Sequence, residues 1–107
     1  SAPEVLSFSN NSQIEFAKFL SKKGVVMYSA YWCPHCKDQK ELFGKGATKK
    51  LKIIECAKDG KNNKFKLCRR KEITGFPAWE IDNKIFLGIK TLQELSELTK
   101  YSGSLDF

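Results

Sequence analysis

Val25-Val26-Met27-Tyr28-Ser29-Ala30-Tyr31-Trp32-Cys33-Pro34-His35-Cys36 carries a β-branched and aromatic run straight into a closely spaced cysteine pair. The stretch from Val25 to Ala30 has the character of a buried strand, and Pro34 suits the first turn of a helix, where its missing N–H is no loss. Cys33 is therefore expected at a helix N-terminus. Free N–H groups and the positive end of the helix dipole favour a thiolate there. Cys36, one helical turn on, can close a disulfide with it.

The neighbouring segments extend this strand-to-helix junction into a pattern. Upstream, Ser12-Gln13-Ile14-Glu15 reads as a capping box opening a helix, with an apolar stripe of Ile14, Phe16, Ala17, Phe19 and Leu20 and a stop at Lys22-Lys23-Gly24. Downstream, Cys36, the stem of Lys40 and Phe43 recur at helical spacing until Gly44 and Gly46. A strand is expected from Leu51 to Cys56, a polar turn over residues 57 to 63, and a short helix from Lys64 to Ile73 capped by Gly75. Pro77-Ala78-Trp79-Glu80-Ile81 and Lys84-Ile85-Phe86-Leu87 read as a hairpin turning at Asp82-Asn83. Thr91-Leu92-Gln93-Glu94 is a second capping box, and Leu92, Leu95 and Leu98 give its helix one apolar face. Residues 1–10 and the patternless tail from Ser102 to Phe107 are expected to be peripheral.

Strands separated by helices imply parallel pairing, and a closing hairpin adds antiparallel strands. The fold class is thus α/β, a small mixed sheet with helices on both faces.

At 107 residues and 12.2 kDa, 41% apolar, the chain has room for one domain, residues 1–107, with one core. No stretch approaches the roughly 20 apolar residues of a membrane-spanning helix. Ser1-Ala2-Pro3-Glu4 lacks the features of a signal peptide. Without an initial methionine, the chain is expected to be a mature product or a piece cut from a longer protein.

The formal charge of +7 raises the question of nucleic acid. The basic residues form no single stripe: Lys45, Lys49, Lys50 and Lys52 flank a glycine-containing turn, and Lys58, Lys61, Lys64, Lys66, Arg69, Arg70 and Lys71 are interrupted by Phe65, Leu67 and Cys68. They are expected to be solvated, with no nucleic-acid partner. Attraction to an anionic membrane or acidic partner is the other reading.

A structural zinc site is disfavoured because Cys33, Cys36, Cys56 and Cys68 lack a second close pair, and His35 lies inside the first. Haem attachment would need His at position 37, which is Lys37. For Cys33 and Cys36 an inert disulfide is one reading; the functional reading is thiol–disulfide exchange, with no metal. Within it, His35 is the candidate that tunes the Cys33 thiolate, and Trp32 either packs in the core or shields the sulfur beside a substrate surface.

This element order, with C-x-x-C at the first strand-to-helix junction and Gly75-Phe76-Pro77 before the hairpin, resembles the thioredoxin fold over nearly the whole chain. Cys33-Pro34-His35-Cys36 resembles the motif of DsbA-like thiol oxidases, whereas reducing thioredoxins usually carry Gly-Pro between the cysteines. The longer string from Ala30 to Gly44 is most similar to the thioredoxin-like domain fused to bacterial and plastid vitamin K epoxide reductase (VKOR) homologues. Those domains tend to carry a second pair placed like Cys56 and Cys68, and an ending similar to Ile89–Leu95.

The resemblance implies a cis Phe76-Pro77 bond that brings the Phe76 backbone beside Cys33. For Cys56 and Cys68 a structural disulfide is the preferred reading, with free thiols and an electron relay to Cys33 and Cys36 as alternatives. Such a disulfide implies an oxidising compartment. Reducing thioredoxins also carry a buried Asp on the strand before the motif, where this chain has Met27; that argues against efficient reductase chemistry.

The expected function is a thiol oxidant in the periplasm or thylakoid lumen, tethered to a membrane domain. It would oxidise cysteine-containing exported proteins and pass electrons to a VKOR-type partner holding quinone, with no cofactor of its own. A disulfide reductase or isomerase, and a non-catalytic basic interaction domain, are the rivals.

Overall fold

The computed structural model describes residues 2–107. Its helices are α1 (Asn11–Lys23), α2 (Pro34–Phe43), α3 (Lys45–Thr48), α4 (Phe65–Arg70) and α5 (Leu92–Thr99); its strands are β1 (Val26–Ser29), β2 (Ile53–Glu55), β3 (Ala78–Ile81) and β4 (Lys84–Leu87). The sheet order is β2-β1-β3-β4. β1 pairs parallel to β2 and antiparallel to β3, and β4 closes the hairpin. This is the expected mixed sheet, a thioredoxin-like α/β architecture.

β1 is buried along its whole length, because it lies inside the sheet with cover on both faces. Successive strand side chains point to opposite faces, so its four residues serve two cores. Met27 joins Phe16, Leu20, Cys33, Cys36, Phe43, Trp79 and Leu95 in the larger cluster, beneath α1, α2 and α5. Val26 and Tyr28 join Ile54, Cys56, Cys68 and Ala78 in the smaller one, beneath α4. Asp82 and Asn83 take φ of 50° and 64°, the left-handed pair that a two-residue hairpin turn requires.

Several boundaries differ from the sequence reading. α1 is capped by Asn10, not Ser12: Asn10 Oδ1 accepts from Gln13 N at 2.8 Å while Gln13 Oε1 accepts from Asn10 N at 2.6 Å. The box is Asn-x-x-Gln, two residues earlier, and Ser12 instead bonds Ser104. After Gly44 the chain makes one more helical turn, α3, where only a stop was expected. Gly44 takes φ of 88°, and a side chain there would strike the Phe8 backbone. α4 ends at Arg70 rather than Ile73, with Lys71 as cap, and Glu72 rather than Gly75 turns the chain in the left-handed region. On α5, Leu98 is partly exposed, and Ser96 and Thr99 complete the buried face with Leu92 and Leu95.

Most described residues of the two ends are exposed, yet each end is tied to the rest of the chain at a few points. Phe107 packs its ring 5.1 Å from that of Phe16, and Asn10 Nδ2 donates to the Asp106 carbonyl at 2.9 Å, so aromatic burial holds a tail with no sequence periodicity. Val5 is buried, and Glu41 on α2 accepts the amides of Leu6 at 2.9 Å and Ser7 at 2.8 Å. The seven basic residues from Lys58 to Arg70 and Lys71 named above are all exposed.

The Lys37 ammonium, with help from the Leu6 and Ser7 amides, holds the Glu41 carboxyl down at about 2, against an ordinary 4.5. A carboxyl depressed in the folded state contributes stability above its unfolded value and loses it as pH falls through the folded value. Stability against urea should therefore decline between about pH 4.5 and 2 partly through this group, and Glu41→Gln should flatten that decline.

Candidate active site

Cys33 is the N-cap of α2 and Pro34 its first residue, as the strand-to-helix reading requires. The Cys33 carbonyl accepts from Cys36 N at 3.1 Å and Lys37 N at 3.3 Å, and Cys33 N donates to Ala30 O at 3.0 Å. These bonds lock the turn that delivers the chain from β1 into the helix. Both cysteines are free thiols.

Cys33 is largely covered despite its place at the helix head. It is 8% exposed against 1% for Cys36, so both sulfurs lie largely inside, and the difference in access still favours Cys33. The cover comes from the hairpin side. The Phe76–Pro77 bond is cis, and the Cys33 thiol donates to the Phe76 carbonyl at 3.6 Å. Pro77 is fully buried, and Trp32 meets Phe76 edge-on with ring centroids 6.1 Å apart. Trp32 itself is 58% exposed, so it is a surface beside the thiols rather than core. His35 and Pro34 are exposed on the first turn of α2. Burial pushes the Cys36 thiol up from its ordinary value.

Cys56 and Cys68 are joined in a disulfide, with Cα atoms 5.7 Å apart. It ties the end of β2 to α4 and lies in the smaller core, on the face of β1 opposite Cys36. Cys56 is also tied to the end of β1 through backbone: Cys56 N donates to Ser29 O at 2.8 Å. Glu55 accepts from Tyr31 N at 3.2 Å and Ala57 N at 2.9 Å, and the Tyr31 hydroxyl donates to Asp59 at 2.8 Å. The loop holding Trp32 is thereby fastened to the loop after β2. No group of three or more metal-ligating side chains converges among the described residues.

Gln39 is a site residue that the sequence reading missed. Its amide oxygen accepts from Trp79 Nε1 at 3.0 Å and Lys90 N at 2.8 Å, and its nitrogen donates to Lys90 O at 2.9 Å. It is fully buried, and the inward row of α2 is Cys36, Gln39 and Phe43, with Lys40 only half-buried. The available signal was spacing: Gln39 lies three residues after Cys36 and four before Phe43. Its polarity disguised it. Through Gln39, α2 is bolted to β3 and to the segment leading into α5.

The family described as Thioredoxin matches residues 7–100. The chain belongs to the thioredoxin family, and it carries two free thiols at the junction of β1 and α2. It is 44% identical over 102 residues to the Arabidopsis thaliana protein named thiol-disulfide oxidoreductase LTO1. That alignment takes in 92% of this chain but only 27% of the relative.

Gln39→Ala should cost about 2–4 kcal/mol in denaturant unfolding, because it strands the buried Trp79 donor and the part-buried Lys90 amide as well as deleting their partner. Replacing Cys56 and Cys68 together by Ala should cost about 3 kcal/mol by freeing the loop in the unfolded state. Dithiol oxidation by Cys33 and Cys36, measured on the folded fraction, should persist in the double variant; its loss would favour the relay reading.

Proposed function

We propose that this domain is a thiol oxidant: its Cys33–Cys36 disulfide accepts electrons from cysteine pairs of exported proteins. The observation that carries this reading is the Cys-Pro-His-Cys turn at the head of α2 with the apolar Met27, and no carboxylate, on the α2-facing side of β1. A reductase needs a base to deprotonate its second cysteine, whereas an oxidant needs a disulfide that is easily opened.

The exchange starts when a substrate thiolate attacks Cys33 Sγ, the more accessible sulfur. A substrate–Cys33 bond forms, the Cys33–Cys36 bond breaks, and its electron pair leaves on Cys36. A second substrate thiolate then attacks the substrate sulfur, closing the substrate disulfide and releasing Cys33. The substrate loses two electrons, and the cysteine pair gains them with two protons. His35, beside the pair, favours the reduced form and so makes the disulfide more oxidising. The Phe76 carbonyl and the exposed Trp32 ring form the surface against which a substrate backbone would lie, with the buried Pro77 behind it.

Reoxidation is assigned to a VKOR-type membrane domain that holds quinone, in the same natural chain, so that the pair shuttles between substrate and membrane. The Cys56–Cys68 disulfide supports an oxidising compartment, the periplasm or thylakoid lumen. The low share of LTO1 that this domain matches is in keeping with a longer natural protein.

Equilibration of Cys33 and Cys36 with glutathione should give a potential well above the roughly −270 mV of a reducing thioredoxin; a value near that figure would sink the oxidant reading in favour of a reductase. Cys33→Ser should abolish oxidation of a dithiol peptide. Full activity in that variant would favour a non-catalytic domain instead.

A further inference from the structure

Among the described residues, the Ser29 hydroxyl is the buried side-chain oxygen that has no hydrogen-bond partner. The residue is 2% exposed. Leaving a buried hydroxyl unpaired costs stability, so its retention at this place calls for a physical reason.

β1 supplies the geometry. Ser29 lies two residues after Met27 and projects from the same face, toward the layer in which Met27 packs with Cys33 and Cys36. Its backbone is already committed, since the carbonyl accepts from Cys56 N. The side chain alone remains. Its neighbour is the Cys36 sulfur, on which the hydroxyl acts in the sense opposite to burial, as does the Ala30 backbone, while Cys33 acts with burial. No carboxylate or basic side chain is among the groups acting on Cys36.

A thiol sulfur is a weak acceptor and a thiolate a strong one. With Cys36 as a thiol the hydroxyl therefore has little to bond; with Cys36 as a thiolate it has a charged acceptor in a dry site.

We propose that Ser29 is the hydrogen-bond donor that stabilises the Cys36 thiolate released when the Cys33–Cys36 disulfide is opened. The inference rests on the reading of Cys33 and Cys36 as the exchanging pair. When a thiolate attacks Cys33, the departing electron pair arrives on a sulfur whose burial makes it a poor leaving group, and thiol leaving groups depart faster as their pKa falls. Ser29 keeps its own proton throughout and offers it as a hydrogen bond. The proton that finally neutralises Cys36 comes from the substrate thiols or water.

The test is single-turnover reduction of the oxidised domain by dithiothreitol, followed by quenching and alkylation. Ser29→Ala should slow the reaction about three- to tenfold, and in a Cys33→Ser background the Cys36 thiolate absorbance should titrate about one unit higher. Ser29→Thr, which keeps the hydroxyl, should recover most of both. Ser29→Ala should be as stable as the parent or more so, since it deletes an unpaired buried hydroxyl. An unchanged rate in Ser29→Ala, or a slower rate with unchanged Cys36 titration, would overturn the assignment. Loss of dithiol oxidation in Cys33→Ser alongside an unaffected Ser29→Ala would remove the Ser29 role alone; persistence of that activity in Cys33→Ser would remove the underlying reading.

Discussion

Full burial of β1 is the constraint on which the rest of this structure depends. Four residues in the middle of a small sheet must satisfy two hydrophobic layers at once, and strand alternation divides them without remainder. Met27 belongs to the α2 layer and Val26 and Tyr28 to the α4 layer, and alternation puts Ser29 on the side of Met27. The reactive thiols and the Cys56–Cys68 disulfide consequently occupy opposite faces of one strand. One cysteine pair is bonded and the other free, and the strand keeps them in separate layers.

The reactive pair is positioned by bonds that are mostly remote from it. α2 is held at its head by the Ala30 and Cys33 backbone, at its middle by Gln39 to Trp79 and Lys90, and on its outer side by Glu41 to the N-terminal segment. Facing it, the Phe76 carbonyl reaches the Cys33 sulfur from the end of the chain segment that enters β3. Two elements distant in sequence thus close on one sulfur, and the exposed Trp32 ring lies beside them, edge-on to Phe76. The loop after β2 and α4 carry a run of exposed lysines and arginines, and further lysines are spread over the other elements, α2 included.

Much of this was legible before the fold was known. The strand-to-helix junction, the Asp82-Asn83 hairpin and the Thr91 capping box each rest on a local rule: apolar run then Pro at the first helical position, left-handed turn residues, and a side chain reaching its own backbone three residues on. Local rules failed where two candidates competed. Asn10 and Ser12 both suit a helix cap, and Asn10 prevails with a reciprocal bond to Gln13 while Ser12 is drawn to Ser104, a partner far along the chain. Lys40 and Gln39 both fall near the inward face of α2, and Gln39 is buried because Trp79 and Lys90 offer it partners.

By itself the sequence determined the order of elements apart from α3, the place of Cys33 at a helix head and the candidacy of Cys56 and Cys68 for a bond, since these follow from short-range periodicity, turn chemistry and the chemistry of the thiol. Tertiary structure decided which sulfur is the less covered, that the chain ends pack on Phe16 and Glu41, that Gln39 anchors the reactive helix, and that Ser29 is a buried hydroxyl without a partner. The physical reason is the same in each case. Exposure and hydrogen-bond satisfaction are properties of what lies across the gap, and that neighbour comes from elsewhere in the chain.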